Sequence, residues 1–338
     1  YTTARVRLGM LDVAVGALLV LALTLGGLLQ AMHDGWTALG LVGIAHGLAF
    51  IAGLAVLSSA MDLPFSLWRT FVIEARFGFN RTTPRLFWID HLKGLLIGAL
   101  LGLPLSAVVL WLMAKAGGLW WLWAWAVWVS FNLLIMVVYP TVIAPLFNKF
   151  EPLADEALRT RVSQLMQRCG FAAKGLFVMD GSRRSAHGNA YFTGFGAAKR
   201  IVLFDTLLVR LAPPEIEAVL AHELGHFRRH HVWKRVAMLF AFSGALLWVL
   251  GRLLDAPWFY AGLHVATPST AAALALFFLV LPSFTFFLRP LTSLYSRRHE
   301  FEADAYAAAH AGPADLVRAL VKLYRDNAAT LTPDPVHS

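Results

Sequence analysis

Long stretches without a charged side chain constrain this chain more than any other feature. Val13–Met32 and Trp36–Ala60 contain none. Gly94–Ala114, with Pro104 inside it, and Gly117–Tyr139 repeat the pattern. Val236–Gly251 is shorter, and Pro257–Leu288 holds a loop followed by a further apolar run. About 20 apolar residues in a helix span the hydrocarbon core of a bilayer, so six spans are expected. Of all residues 58% are hydrophobic and 14% charged, against roughly 45–50% and 25% in a water-soluble domain. That much apolar surface does not fit inside one soluble core. Disordered chains are charge-rich and aromatic-poor, which excludes disorder, and a single cysteine, Cys169, excludes a disulfide scaffold.

Charge gives these spans a direction. The formal net charge is +9. Arg5 and Arg7 precede the first span, and Arg69, Arg76, Arg81 and Arg85 separate the second from the third. Many more lie between Lys149 and Arg235, and Arg289, Arg297 and Arg298 follow the sixth. The alternate loops hold chiefly Lys115 and Arg252. By the positive-inside rule, the basic loops, the insert at 140–235 and the tail after 290 face the cytoplasm. Trp120, Trp121, Trp123 and Trp125 are expected in an interfacial belt. No basic run interleaved with aromatics lies outside the apolar spans, so nucleic acid is not an expected partner; a lipid bilayer is.

The insert reads as a folded unit. Glu156–Arg168 has the pattern of an amphipathic helix ending at Gly170. Leu176–Met179 and Arg200–Phe204 are expected strands, with Asn189–Thr193 a third. Pro213-Pro214 should open a helix that runs through His222 and onward into the fifth span. Four sections result: membrane helices at 1–139, the insert at 140–235, two spans at 236–290, and a terminal segment at 291–338. The fold class is thus an all-α multi-span membrane bundle with a small α+β domain on the cytoplasmic side.

Within the insert, His222-Glu223-Leu224-Gly225-His226 matches H-E-x-x-H on a helix. At 3.6 residues per turn the two histidines share a face and can bind one Zn²⁺, with Glu223 placed to take a proton from the attacking water. A catalytic zinc site needs a third protein ligand. Glu300, in Arg297-Arg298-His299-Glu300-Phe301-Glu302-Ala303-Asp304, is the best candidate. Asp304, one turn on, suits a hydrogen bond to a ligand imidazole. His230 and His231 compete but read as solvated interface residues; His299 lies about 100° round the helix from Glu300. His46, inside the second span, reads as hydrogen-bonded within the bundle.

These and further segments together resemble the type-I CAAX prenyl proteases, integral-membrane zinc metalloproteases of the gluzincin group. The resemblance is carried by Thr70-Phe71-Val72-Ile73-Glu74 with Gly78-Phe79-Asn80, by Tyr139-Pro140, and by Ile143-Ala144-Pro145-Leu146-Phe147. Asn189-Ala190-Tyr191-Phe192, Lys199 through Leu208, the His222–His226 motif and the Ser296–Asp304 segment complete it, in the family's order. It implies His222, His226 and Glu300 as zinc ligands, Glu223 as general base and Asp304 as their supporting acid. Asn189 would lie near the scissile bond, and Ala190, Tyr191 and Phe192 would form the edge that pairs with substrate backbone. It also implies helices that enclose an intramembrane chamber, and substrates that are peptides or prenylated peptides. The family pattern adds a membrane helix upstream and a His-Pro-Pro element downstream; in Val336-His337-Ser338 no Pro-Pro follows the histidine.

The expected protein is therefore a monomeric membrane zinc endopeptidase of a bacterial inner membrane or the endoplasmic reticulum, with its active site on the cytoplasmic side. Two alternatives remain at this level. One is a broad-specificity quality-control zinc protease, which would not be expected to share Thr70–Glu74 or Lys199–Leu208. The other is a non-enzymatic transporter or receptor, which would need neither the ligand set nor Glu223.

Overall fold

A computed structural model describes residues 1–171, 175–194 and 199–326; Val336-His337-Ser338 lies outside them. The chain opens with α1 (Thr2–Leu23), α2 (Leu28–Ala38) and α3 (Gly43–Trp68), followed by α4 (Pro84–Lys115), α5 (Trp120–Val138) and the short α6 (Ala144–Phe147). The insert holds β1 (Phe150–Pro152), α7 (Glu156–Arg168), β2 (Gly175–Met179), β3 (Ala190–Thr193), β4 (Arg200–Phe204), α8 (Asp205–Arg210) and α9 (Pro213–Arg228). The last elements are α10 (His231–Leu253), α11 (Pro257–Ala261), α12 (Thr270–Thr285), α13 (Arg289–His310) and α14 (Pro313–Asp326).

Among the described residues, six helices are long and apolar enough to cross a membrane: Thr2–Leu23, Gly43–Glu74, Pro84–Lys115, Gly117–Phe147, His231–Leu253 and Thr270–His310. The count of six agrees with the sequence, but two boundaries do not. The expected Val13–Met32 span breaks after Leu23, where Gly27 takes a left-handed φ of 72°, so the first span begins at Thr2 and contains Arg5 and Arg7. The sixth span does not stop at Leu288. It passes through one tight turn, Phe286–Leu288, into α13. Two spans carry wide π-helical turns, Arg69–Glu74 at the end of one and Tyr139–Ile143 just before α6 in the other. The tryptophan belt is only partly a belt: Trp120 is buried, and Trp125 Nε1 donates to the Phe240 carbonyl of α10 at 2.8 Å. Small side chains let α12 sit innermost, with Ala271 through Phe277 all buried.

Among the described residues the insert forms a four-stranded sheet in the order β1-β2-β4-β3. β2 and β4 run parallel, while β1 and β3 pair antiparallel with their neighbours. Ile201, Val202 and Leu203 are buried on both faces, as an interior strand of this kind requires. The α7 helix begins and ends as expected: Asp155 accepts from Leu158 N–H at 3.0 Å, and Gly170 supplies a left-handed exit. Leu158, Val162 and Leu165 bury its inner face against α9. The α9 helix does not continue into the fifth span. It ends at Arg228, and His230 turns the chain with φ 57° before α10 starts at His231.

The Arg184 guanidinium ties the bundle to the insert. Arg184 donates to both carboxylate oxygens of Asp90 on α4 at 2.8 and 3.1 Å, to Asn148 Oδ1 at 2.8 Å and to the Phe147 carbonyl at 2.6 Å. Its own carbonyl accepts from Arg81 N–H at 3.1 Å, beside an Asn80–Ser185 bridge.

Candidate active site

Two helices meet to build the site. α9 is anchored at its start, where Glu215 accepts from Ala212 N–H at 2.8 Å and from Lys322 of α14 at 2.7 Å. Its flank is held by Glu217, buried under Arg161 and Arg168 of α7. Ile216, Leu220 and Leu224 seal its inner face. α13 then packs across it at Gly225. A Cβ on Gly225 would lie 2.9 Å from Ala303 Cα and 3.0 Å from Tyr306 Cβ, so the glycine between the two histidines sets the approach of the helices.

That approach brings four expected residues together. His222 Nε2 and His226 Nε2 are 3.2 Å apart, and Glu300 Oε2 lies 3.5 Å from each. On the far side of its ring, His222 Nδ1 is 2.8 Å from Asp304 Oδ1. A carboxylate only accepts, so this Nδ1 carries the proton and Nε2 presents a lone pair. Two imidazole nitrogens and a carboxylate oxygen therefore face one point, an arrangement that suits a cation. Among the described residues this is the group able to hold a metal ion. The ends of the site differ in exposure: the imidazoles are half-buried and Glu300 is exposed.

Glu223 follows His222 on α9 and is half-buried. Burial pushes its carboxyl pKa above the ordinary value; His222 opposes the rise and Glu300 adds to it. For His226, burial is the largest cause of a pKa held below the ordinary imidazole value.

β3 ends the sheet among the described residues, so its outer backbone edge is open for strand addition. Ala190 is buried in the insert core, while Tyr191 and Phe192 are half-buried. Phe192 is edge-on to Phe171, and Phe171 is edge-on to Phe227 of α9, which links this strand to the helix of the histidines. Asn189 is exposed. Its Oδ1 accepts from Ala190 N–H at 2.8 Å and its carbonyl from Phe204 N–H at 3.0 Å, which prolongs the β3–β4 pairing.

The competing histidines separate clearly. His230 is exposed and is not part of the His222–His226–Glu300 group. His231 corrects the sequence reading: it is 1% exposed, not solvated, and its Nδ1 lies 2.9 Å from His226 Nδ1. The break at His230 turns the chain back and brings His231 under α9, which the expected continuous helix would not have done. His299 is buried and stacks on His231 with centroids 3.9 Å apart. His46 is buried, with Nε2 3.1 Å from the His33 carbonyl.

Comparison with known proteins adds to this geometry. Residues 152–338 match the model of peptidase family M48, and residues 1–149 match that of the CAAX prenyl protease N-terminal region with its five membrane helices. A CAAX prenyl protease 1 homolog of Arabidopsis thaliana is 39% identical over 306 residues, covering 87% of this chain and 70% of its own length. CAAX prenyl protease 1 of Saccharomyces cerevisiae is 36% identical over 313 residues, with 87% and 69% covered. The crystal structure of S. mikatae Ste24p superposes with a TM-score of 0.83 at 33% identity, covering 88% of this chain and 73% of that one.

Proposed function

The chain belongs to peptidase family M48 and is a multi-span membrane metalloendopeptidase, and from that membership we propose a zinc enzyme whose ligands are His222, His226 and Glu300. The observation that supports this most is the convergence of His222 Nε2, His226 Nε2 and Glu300 Oε2 at separations of 3.2 to 3.5 Å. Donors about 2.0–2.1 Å from a tetrahedral zinc lie roughly 3.3 Å from one another. The two-imidazole, one-carboxylate set leaves a fourth position open, as catalytic sites do.

Zinc held there supplies Lewis acidity, polarising a peptide carbonyl and making water more acidic. The chain's own residues do the rest. Glu223 accepts the proton of the attacking water and delivers it to the leaving amine. Asp304 holds the His222 ring and its tautomer. The β3 edge, Ala190 through Phe192, aligns an extended peptide by backbone pairing, and Asn189 at its head donates to the developing oxyanion.

The relatives' name, CAAX prenyl protease, supports prenylated peptides as the substrate class, reaching a chamber enclosed by the spans. The distribution of basic residues supports a site on the cytoplasmic side. The division into sections at 1–139, 140–235, 236–290 and 291–338 and a monomeric state complete the proposal.

The test is metal content with cleavage. Purified chain should hold about one zinc, in keeping with a single three-ligand site, and His222→Ala or Glu300→Ala should lose it. Zinc retained at wild-type affinity by Glu300→Ala would remove Glu300 from the ligand set. Orientation is read by an impermeant thiol reagent and a cysteine placed at exposed Glu151: labelling from outside right-side-out vesicles would reverse the topology.

A further inference from the structure

The first turn of α10, a membrane helix, reaches the metal cluster from behind. His231 Nε2 lies 3.1 Å from Glu302 Oε2 of α13, and its Nδ1 lies 2.9 Å from His226 Nδ1. The protons along this chain can be assigned from the acid end. A carboxylate only accepts, so His231 Nε2 carries a proton that it donates to Glu302. The neutral ring then has a bare Nδ1, which accepts from His226 Nδ1–H. His226 is thereby left with a lone pair on Nε2, the atom that faces His222 and Glu300. This assignment uses no metal; it follows from the hydrogen bond to Glu302 with a neutral His231 ring, and it agrees with what the cluster requires.

We infer that His231 is a positioning residue for the metal site: held by Glu302, it fixes the tautomer and the ring plane of His226, as Asp304 does for His222. The inference rests on the zinc reading given above. Its ring cannot swing. It is 1% exposed and lies flat on His299, 3.9 Å between centroids with 8° between planes, and Tyr295 is edge-on to His299 at 4.3 Å. Glu302 is held in turn by Arg298 at 3.1 Å. One turn further along α10, Arg235 Nη2 is 3.8 Å from Glu300 Oε1 and 3.1 Å from Ser296 Oγ. The same membrane helix thus reaches two ligands, and the position of α10 is coupled to the geometry of the metal.

Zinc affinity measured by chelator competition tests this. Partners of this kind change metal affinity by about 10–100-fold. His231→Leu, which keeps the volume but no acceptor, should weaken binding by that factor. His231→Asn places an amide oxygen near the Nδ1 position and should bind within about threefold of wild type, a rescue that packing alone would not produce. Glu302→Ala, at a half-buried site that tolerates truncation, should weaken zinc on its own and have no further effect on top of His231→Leu. If His231→Leu does not fold, Glu302→Ala decides. Wild-type affinity in His231→Leu or Glu302→Ala, or equal losses in the Leu and Asn variants, would overturn the inference. The zinc reading fails separately, by wild-type chain holding no zinc or by His222→Ala retaining it, and the inference then fails with it.

Discussion

In α4, Leu96 and Leu100 leave 61% and 74% of their surface uncovered, facing where lipid would lie. In α9, Leu220 and Leu224 are 0% and 2% exposed, and His222 between them is fastened to Asp304 at 2.8 Å. The bundle is assembled from helices whose outer faces any apolar residue could fill, because lipid is as apolar as leucine. The insert is assembled from contacts that admit one occupant: a glycine against a backbone, a carboxylate under two guanidinium groups, imidazoles aligned by acids. Single substitutions should therefore act strongly at the α9–α13 seam and weakly on the bundle's outer face.

The largest expected effect is at Glu223. Glu223→Gln is nearly isosteric and leaves the three proposed ligands in place, so zinc and peptide binding should persist. Its amide cannot accept a proton, and peptide cleavage should fall by at least the 10²–10⁴-fold typical of a general base. Cleavage within a few-fold of wild type would assign the base to another residue.

Next comes Gly225→Ala. The new methyl would meet Ala303 Cα at 2.9 Å, a backbone atom that cannot rotate away, so α13 must shift and carry Glu300 and Asp304 with it. Overpacking of this kind costs about 1–3 kcal/mol, and zinc affinity should drop along with thermal stability. The bundle offers the matched control. A Cβ on Gly244 of α10 meets the Trp125 indole first, at 3.1 Å, and Gly244→Ala should leave zinc affinity unchanged. Equal losses of zinc in both variants would erase the contrast between the regions.

What the sequence made legible follows the same division. Uncharged runs report span number because lipid demands it, but Arg5 and Arg7 did not exclude their segment from α1. H-E-x-x-H reports its ligands because both lie on one helix turn. Glu300 and Asp304 were found through their own one-turn spacing. His231 was misread because its role depends on a left-handed turn at His230, and nothing in Arg228-Arg229-His230 marks that turn. The hydrogen-bonding of Arg184 joins residues 94 and 36 positions away, and no local pattern encodes such a pairing. Gly225 carried a visible signal, a glycine inside a helix, where it costs about 1 kcal/mol unless close packing requires it.

A smaller effect, dependent on pH, is expected at Glu215. Burial alone would push its carboxyl up, but the hydrogen bonds from Lys322 and Ala212 N–H, with the Arg318 charge, overcome this and hold its pKa below the ordinary 4.5. The folded state thus binds this proton more weakly than the unfolded chain. Its contribution is fully present above the ordinary carboxylate value and is lost as pH falls through the depressed folded value. Glu215→Gln should cost about 1–2 kcal/mol at neutral pH. The difference in unfolding temperature from wild type should narrow as pH is lowered past 4.5; a constant difference would mean that the carboxyl's charge contributes nothing.

The smallest expected effect is at Leu100, and it tests the bundle half of the comparison. Its side chain is 74% exposed on a helix that carries no charge from Gly94 to Ala114. Truncation to alanine removes contacts with lipid or detergent, not with protein, and the unfolded segment remaining in the membrane loses the same contacts. Leu100→Ala should thus shift stability by no more than about 0.5 kcal/mol, the range for surface positions without a special role. Leu220→Ala, the same change in the insert core, should cost about 2–5 kcal/mol. Thermal unfolding of both variants in one detergent measures the gap directly. A loss of several kcal/mol at Leu100 would mean that this face of α4 is covered by protein, and the bundle's outer surface would have to be redrawn there.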